Sequence, residues 1–203
     1  MNIYQQIEDW INGTPNPDGW CSAEAGKLFA ACAMALRPAV CVEVGVWGGR
    51  SAIPVALALK EIGRGTLLAI DPWAASESIK GQTKEDGDWW KNQEMHDQVF
   101  ERFMKTVYHF GVQNCVQVIR KKSDDVKVPE EISFLNLDGN HRDQALVDIK
   151  RFTPHVRVGG LVHLDDIGWA GDFVRKGAEW MKQNGFISLY GVDSRGEMFQ
   201  RIK

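Results

Sequence analysis

The sequence predicts an α/β fold: a doubly wound, mostly parallel seven-stranded sheet that ends in a C-terminal antiparallel β-hairpin. Three observations predict it. Short, nearly continuous apolar runs alternate with helical patterns from Val40 onward, as expected of strands covered on both faces by crossover helices. The first run, Val40-Cys-Val-Glu-Val44, passes into the turn Gly45-Val-Trp-Gly-Gly-Arg-Ser51 and then a helical pattern, the arrangement with which α/β proteins hold nucleotide-like ligands. The last two runs, Phe186–Val192 and Met198–Ile202, are joined by the turn Asp193-Ser-Arg-Gly196, which reads as a hairpin rather than another βαβ unit.

Taken in order, an amphipathic segment at Ile3–Ile11 precedes the turn-rich Gly13-Thr-Pro-Asn-Pro-Asp-Gly19. Ser22 is an N-cap for an apolar helix that runs to Leu36 and is stopped by Pro38. Residues 1–38 are expected to form a helical cap on a single domain spanning 1–203. The parallel strands are Val40–Val44, Thr66–Ile70, Val116–Ile119, Ile132–Leu137 and Gly160–Leu164, and the helices between them are Ser51–Ile62, Glu94–Phe110, Gln144–Phe152 and Phe173–Gln183. Ala74–Asp88, just before Trp89-Trp90, fits no regular element. The long connection 74–98 reads either as a lid or as a plain surface insertion.

The bulk properties narrow the function. A length of 203 residues suits one α/β domain with a sizeable core. A net charge of −3 argues against a nucleic-acid-coating surface and against a polybasic membrane anchor. No apolar run approaches the roughly 20 residues of a transmembrane helix. Met1–Trp10 carries no basic leader and no apolar signal core, so the expectation is a cytoplasmic protein. The four cysteines lack CxxC spacing and read as buried thiols rather than disulfides or zinc ligands. The apolar helix near Ala23–Leu36 suits a homodimer contact as readily as the core.

The acid in the first strand selects among nucleotide-like ligands. Glu43 would repel a dinucleotide pyrophosphate but welcomes an ammonium or hydroxyls, so S-adenosylmethionine fits better than NAD. Gly45 and Gly49 let the backbone turn tightly and approach a ligand. Ser51 offers a hydroxyl and an N–H to a carboxylate at a helix start. The same glycines also suit a tight strand–helix turn that binds nothing. Asp71, at the end of the second strand, sits where α/β folds accept hydrogen bonds from ribose hydroxyls, or else caps the turn before Pro72. Ser123 and Asp124 either address an adenine ring or cap a helix. Trp47, Trp89, Trp90 and Trp169 fall on loops at the ligand end, where they would wall a pocket for adenine or a planar substrate.

Two further strands end in acids: Phe134-Leu-Asn-Leu-Asp138-Gly-Asn-His141 and Gly159-Gly-Leu-Val-His-Leu-Asp165-Asp166. Adjacent parallel strands lie about 4.8 Å apart, so acids at matching ends converge. Asp138, Asp165 and Asp166 would raise one another's pKa unless a cation intervened. Oxygen ligands suit Mg²⁺ or Ca²⁺, with Mn²⁺ also admissible; separate capping and salt-bridging roles are the alternative. His141, on the loop facing this spot, is placed to take a proton from a substrate hydroxyl, or is merely a loop residue. His163 reads as a core histidine, and His96 and His109 receive no role.

Together these residues resemble the class I S-adenosylmethionine-dependent O-methyltransferases, specifically the metal-dependent branch, from Val40 to the final hairpin. Glu43-Val-Gly45-Val-Trp-Gly-Gly49-Arg-Ser51 is similar to the first motif of catechol O-methyltransferase, which implies that it holds the methionine part of the cofactor. The resemblance also implies that Asp138, Asp165 and Asp166 are magnesium ligands and that Ser123 approaches the adenine. Leu137-Asp-Gly-Asn-His141 with Leu164-Asp-Asp166 is closer still to small bacterial methyltransferases of the macrocin and cephalosporin-modifying type. The catechol enzymes carry a lysine base at the position of His141 and an asparagine at that of Asp166. Many sugar-modifying relatives have an acid at the position of Asn140. The usual substrate cap is expected from residues 1–21, the 74–98 insert or another subunit.

The expectation is a methyltransferase that moves the sulfonium methyl of S-adenosylmethionine to a hydroxyl of a small molecule with the help of Mg²⁺ or another divalent cation. The rivals are an enzyme that needs no metal and a non-catalytic cofactor-binding subunit of a biosynthetic complex. Glu43 and the closing hairpin disfavour an NAD dehydrogenase.

Overall fold

The computed structural model describes residues 2–168, 172–192 and 195–203. Its core is a seven-stranded sheet in the order β3-β2-β1-β4-β5-β7-β6. The parallel strands are β1 (Val40–Val44), β2 (Thr66–Ile70), β3 (Val116–Ile119), β4 (Ile132–Leu137) and β5 (Val156–Leu164). The hairpin strands β6 (Phe186–Val192) and β7 (Gly196–Arg201) follow, and β7 runs antiparallel to both β5 and β6. Asp193 and Ser194 of the hairpin turn lie outside the described residues, as does Trp169.

Period-two alternation divides the strands between two cores. On one face Cys41, Leu67 and Phe134 pack beneath α1 (Ile3–Ile11), α2 (Ala23–Leu36), α3 (Ala52–Ile62) and a later helix, α6 (Gln93–His109). On the other, Val42, Val44 and Leu135 pack beneath α7 (Asp143–Phe152) and α8 (Phe173–Gln183). The N-terminal helices form a full layer of the first core. Ile7 and Ile11 of α1 and Ala25, Phe29, Ala30 and Ala33 of α2 are buried, so the apolar face of α2 is spent inside the protein.

Two elements differ from expectation. Strand β5 begins at Val156, four residues earlier than its apolar run suggests. The insert holds two short helices, α4 (Ala75–Ser78) and α5 (Lys84–Trp90), before α6 starts. Helix α5 has almost no apolar periodicity. It is started instead by Thr83, whose hydroxyl accepts from the Asp86 N–H, with Glu85 and Asp86 in the first turn favouring the helix dipole. No helix among the described residues is long and apolar enough to cross a membrane.

Candidate active site

The loops that follow β1 to β5 open onto one cavity of about 1130 Å³. The loop after β1 is built by close approach. Gly45 has φ +85°, and a Cβ there would overlap the Asp138 carbonyl and Gly139, so the loops after β1 and β4 touch backbone to backbone. Gly49 also has positive φ, but its missing side chain makes room for the Phe103 ring of α6. Gly49 thus has a packing duty in the core beside the ligand contact expected from the sequence.

Glu43, Asn136 and His163 stand in register on β1, β4 and β5 and form a buried polar row under the loops. Glu43 is 1% exposed, and its Oε1 accepts from the Ser51 hydroxyl at 2.6 Å. The Asn136 Oδ1 lies 2.7 Å from His163 Nδ1, which turns the amide nitrogen toward Glu43. Glu43 Oε2 and Asn136 Nδ2 are both buried without a well-formed hydrogen bond. Burial pushes the Glu43 carboxyl up to about 8, against the lowering effect of Ser51 and the nearby Asn136 amide. An orphaned acceptor beside the cavity-lining Ser51 and Asn136 fits an ammonium, the group expected from the sequence. The Ser51 hydroxyl, by contrast, donates to Glu43.

Asp71 also has a different first duty. Its Oδ2 accepts from the N–H groups of Val46 and Trp47, each at 2.9 Å, and its Oδ1 accepts from Trp73 at 2.6 Å. The carboxylate thus braces the loop after β1, in which Trp47 is held at φ +48°. It also lines the cavity. Ser123 is buried and Asp124 exposed. Gln144 of α7 donates to Ser123 Oγ, Asp124 Oδ1 and the buried Asp148. Burial of Asp148, with Asp124 nearby, lifts its carboxyl to about 6.

At the ends of β4 and β5, single ligand atoms of Asp138, His141 and Asp165 all lie within 4.8 Å of one another. Burial and the neighbouring charges of Asp165 and Glu43 raise the Asp138 carboxyl well above its usual range. Such like-charge crowding is what a divalent cation relieves, and the donor set of two carboxylates and one imidazole suits one. Asp166 is turned aside at φ +49°. Its Oδ2 lies 3.5 Å from His141 Nε2 and its Oδ1 3.7 Å from Arg195. Two of the three expected acids, Asp138 and Asp165, are thus together with His141, while Asp166 faces His141 and Arg195 from outside that group. Burial holds the His141 pKa below its ordinary value despite the pull of Asp166 and Asp165.

The insert lies over this floor. Asn140 Nδ2 donates to the Lys80 carbonyl at 2.9 Å, and Arg142 approaches Gln82 at 3.5 Å and Asp86 at 3.7 Å. Trp47, Trp89 and Trp90 do cluster, with ring centroids 4.4–6.0 Å apart, and Trp20 joins them at 5.6 and 6.0 Å. Sequence reasoning missed Trp20, Trp73 and Asn136. A polar Asn136 inside a buried strand was the one available signal. Trp73 is fully buried, donates its indole N–H to the Trp47 carbonyl at 2.9 Å and stacks on Phe103.

The profile of a family described as a methyltransferase domain matches residues 42–167. No curated protein sequence matches the chain. Among solved structures, the O-methyltransferase TomG from Streptomyces achromogenes, involved in tomaymycin synthesis and solved with S-adenosylmethionine, is similar over 100% of this chain and 91% of its own, with 17% identity and a TM-score of 0.63. The O-methyltransferase NovP is similar over 98% and 88%, with 15% identity and a TM-score of 0.70. An O-methyltransferase from Bacillus cereus, in complex with SAH, is similar over 99% and 90%, with 12% identity and a TM-score of 0.58. At these identities the likeness is one of fold.

Proposed function

The chain belongs to the methyltransferase-domain family, and from that premise we propose that it is an S-adenosylmethionine-dependent O-methyltransferase acting on a small-molecule hydroxyl with a divalent cation. One observation carries the reading. The buried acceptor of Glu43 lies beside Ser51 and Asn136, which line the same cavity as the Asp138–His141–Asp165 cluster at one sheet edge. This proximity supports a donor and an acceptor bound side by side.

When bound, the cofactor supplies an electrophilic methyl on sulfur, and the cation supplies Lewis acidity that lowers the acceptor hydroxyl's pKa. Glu43 would hold the ammonium of the methionine part and so aim the sulfonium, while Asp138 and Asp165 would hold the cation. His141 Nε2 would take the hydroxyl proton as the C–O bond forms, with Asp166 stabilising the resulting imidazolium. The insert, latched through Asn140 and Arg142, would exclude water from the reacting atoms. A second reading is favoured by the position of His141 within the cluster: the imidazole is a third ligand, and an acid or water takes the proton.

A cytoplasmic location belongs to the proposal and is supported by the absence of any disulfide among the four cysteines. Methyl transfer to a panel of hydroxylated acceptors, assayed with Mg²⁺ and with EDTA, tests the whole. Transfer that EDTA abolishes and Mg²⁺ restores is expected. Cofactor binding without transfer to any acceptor would leave a non-catalytic subunit in its place.

A further inference from the structure

An amino-acid moiety is a zwitterion, and the site as described receives only its positive end. Glu43, Asp71 and Asp138 make the floor acidic: Asp71 raises the Glu43 pKa, and Glu43 raises that of Asp138. A carboxylate entering there is repelled unless a cation meets it. The Ser51 hydroxyl is spent on Glu43.

Arg50 lies beside Ser51 and lines the same cavity. Its Nη1 donates to the Gly19 carbonyl at 2.9 Å. Its stem rests on Gly19, where a Cβ would sit 3.3 Å from Arg50 Cδ. Its Nε is buried with no hydrogen-bond partner, and no carboxylate among the described residues forms an ion pair with it. A guanidinium has five N–H donors in a planar fork, so most of this one is uncommitted. Burial already lowers its pKa, as expected for a cation without a counter-charge. Lys80, Lys122, Arg142 and Arg195, the other cations lining the cavity, belong to the insert, the loop after β3, the loop after β4 and the hairpin. Arg50 alone comes from the loop next to Glu43.

We propose that Arg50 receives the α-carboxylate of the cofactor's methionine moiety, with Glu43 receiving its ammonium. The inference rests on the methyltransferase reading above. Residues 43–51 would then read both charges of the amino acid from one strand end and its turn, with Gly19 holding the arginine stem in place.

S-adenosylhomocysteine and 5′-methylthioadenosine separate this role from a structural one. Both carry the adenosine thioether, and only the first carries the amino acid. In calorimetric titrations, Arg50→Met is expected to weaken S-adenosylhomocysteine binding roughly ten- to a hundredfold, the loss of a charge-assisted hydrogen bond, and to leave methylthioadenosine binding unchanged. Arg50→Lys, which keeps the charge and loses the fork, is expected to fall between and serves equally if the methionine variant does not fold. Equal weakening of both ligands, or no weakening of S-adenosylhomocysteine, would overturn the assignment. Wild-type protein that binds neither ligand would sink the cofactor reading itself, a result distinct from either.

Discussion

The Asn140 carboxamide donates to the Lys80 carbonyl at 2.9 Å, tying the loop that carries His141 to the insert that covers it. Its Oδ1 in turn accepts from the Arg142 N–H at 3.0 Å, which fixes the amide's orientation. An acid at this position cannot donate to Lys80. Asn140 is here a latch between the two segments.

Asn140→Asp should therefore loosen the insert without unfolding the domain. Faster backbone hydrogen exchange over residues 75–90 is expected, at a cost in global stability of about 1 kcal/mol or less. Exchange equal to wild type in that segment would mean that Arg142 and the tryptophan cluster hold it alone.

Asp71 braces three backbone N–H groups at 2.6–2.9 Å. Removing the carboxylate leaves those donors without a partner. Asp71→Ala should cost about 3 kcal/mol or more in denaturant unfolding. Asp71→Asn should cost less, because one oxygen still accepts. A variant with wild-type stability and impaired cofactor binding would show instead that ligand contact is the residue's main duty.

How far the sequence could be read depended on whether a signal was local. Alternating runs made β1 to β4 legible to the residue, because buried parallel strands carry an apolar pattern that depends on nothing distant. Helix α5 was not legible: Lys84–Trp90 has no apolar stripe and depends on the Thr83 cap. A glycine's missing side chain does not tell what fills the space. Gly45 and Gly49 look alike in sequence, yet one clears the Asp138 backbone and the other the Phe103 ring. Trp20 joins the site only because the segment preceding α2 folds across the loop after β1. That contact is tertiary, and no residue near Trp20 announces it.

Asp148 sets a pH dependence away from the acid cluster. It is buried among Ser123 and Gln144, with Asp124 raising and Arg151 lowering its pKa, and keeps its proton up to about 6 against an ordinary 3.8. Between these values the folded protein binds more protons than the unfolded chain, so this residue's contribution to stability falls as pH rises through the interval. The loss is complete above pH 6 and amounts to at most about 3 kcal/mol. Asp148→Asn should flatten the dependence of unfolding free energy on pH between 4 and 6, as read by denaturant titration at each pH. A variant with the wild-type slope would assign the dependence to other groups.

The role of His141 turns on one nitrogen. Its Nε2 lies 3.7 Å from Asp138 Oδ1 and 3.5 Å from Asp166 Oδ2, close enough to join a cation's ligands or to remain outside with Asp166. One lone pair serves a metal or a proton, but not both at once. If His141 is the base, His141→Ala should lower turnover by about 10²–10⁴-fold and leave Mn²⁺ affinity, measured by electron paramagnetic resonance, near wild type. If it is a ligand, the affinity itself falls, as it should for Asp138→Asn under either reading. Asp166→Asn adds the second arm. It removes the charge beside the imidazole, so with a base at His141 it should lower the apparent pKa of the turnover profile and spare metal affinity. Loss of Mn²⁺ binding in both His141→Ala and Asp166→Asn would move the two residues together into the metal shell, and the proton would then have to leave by another group.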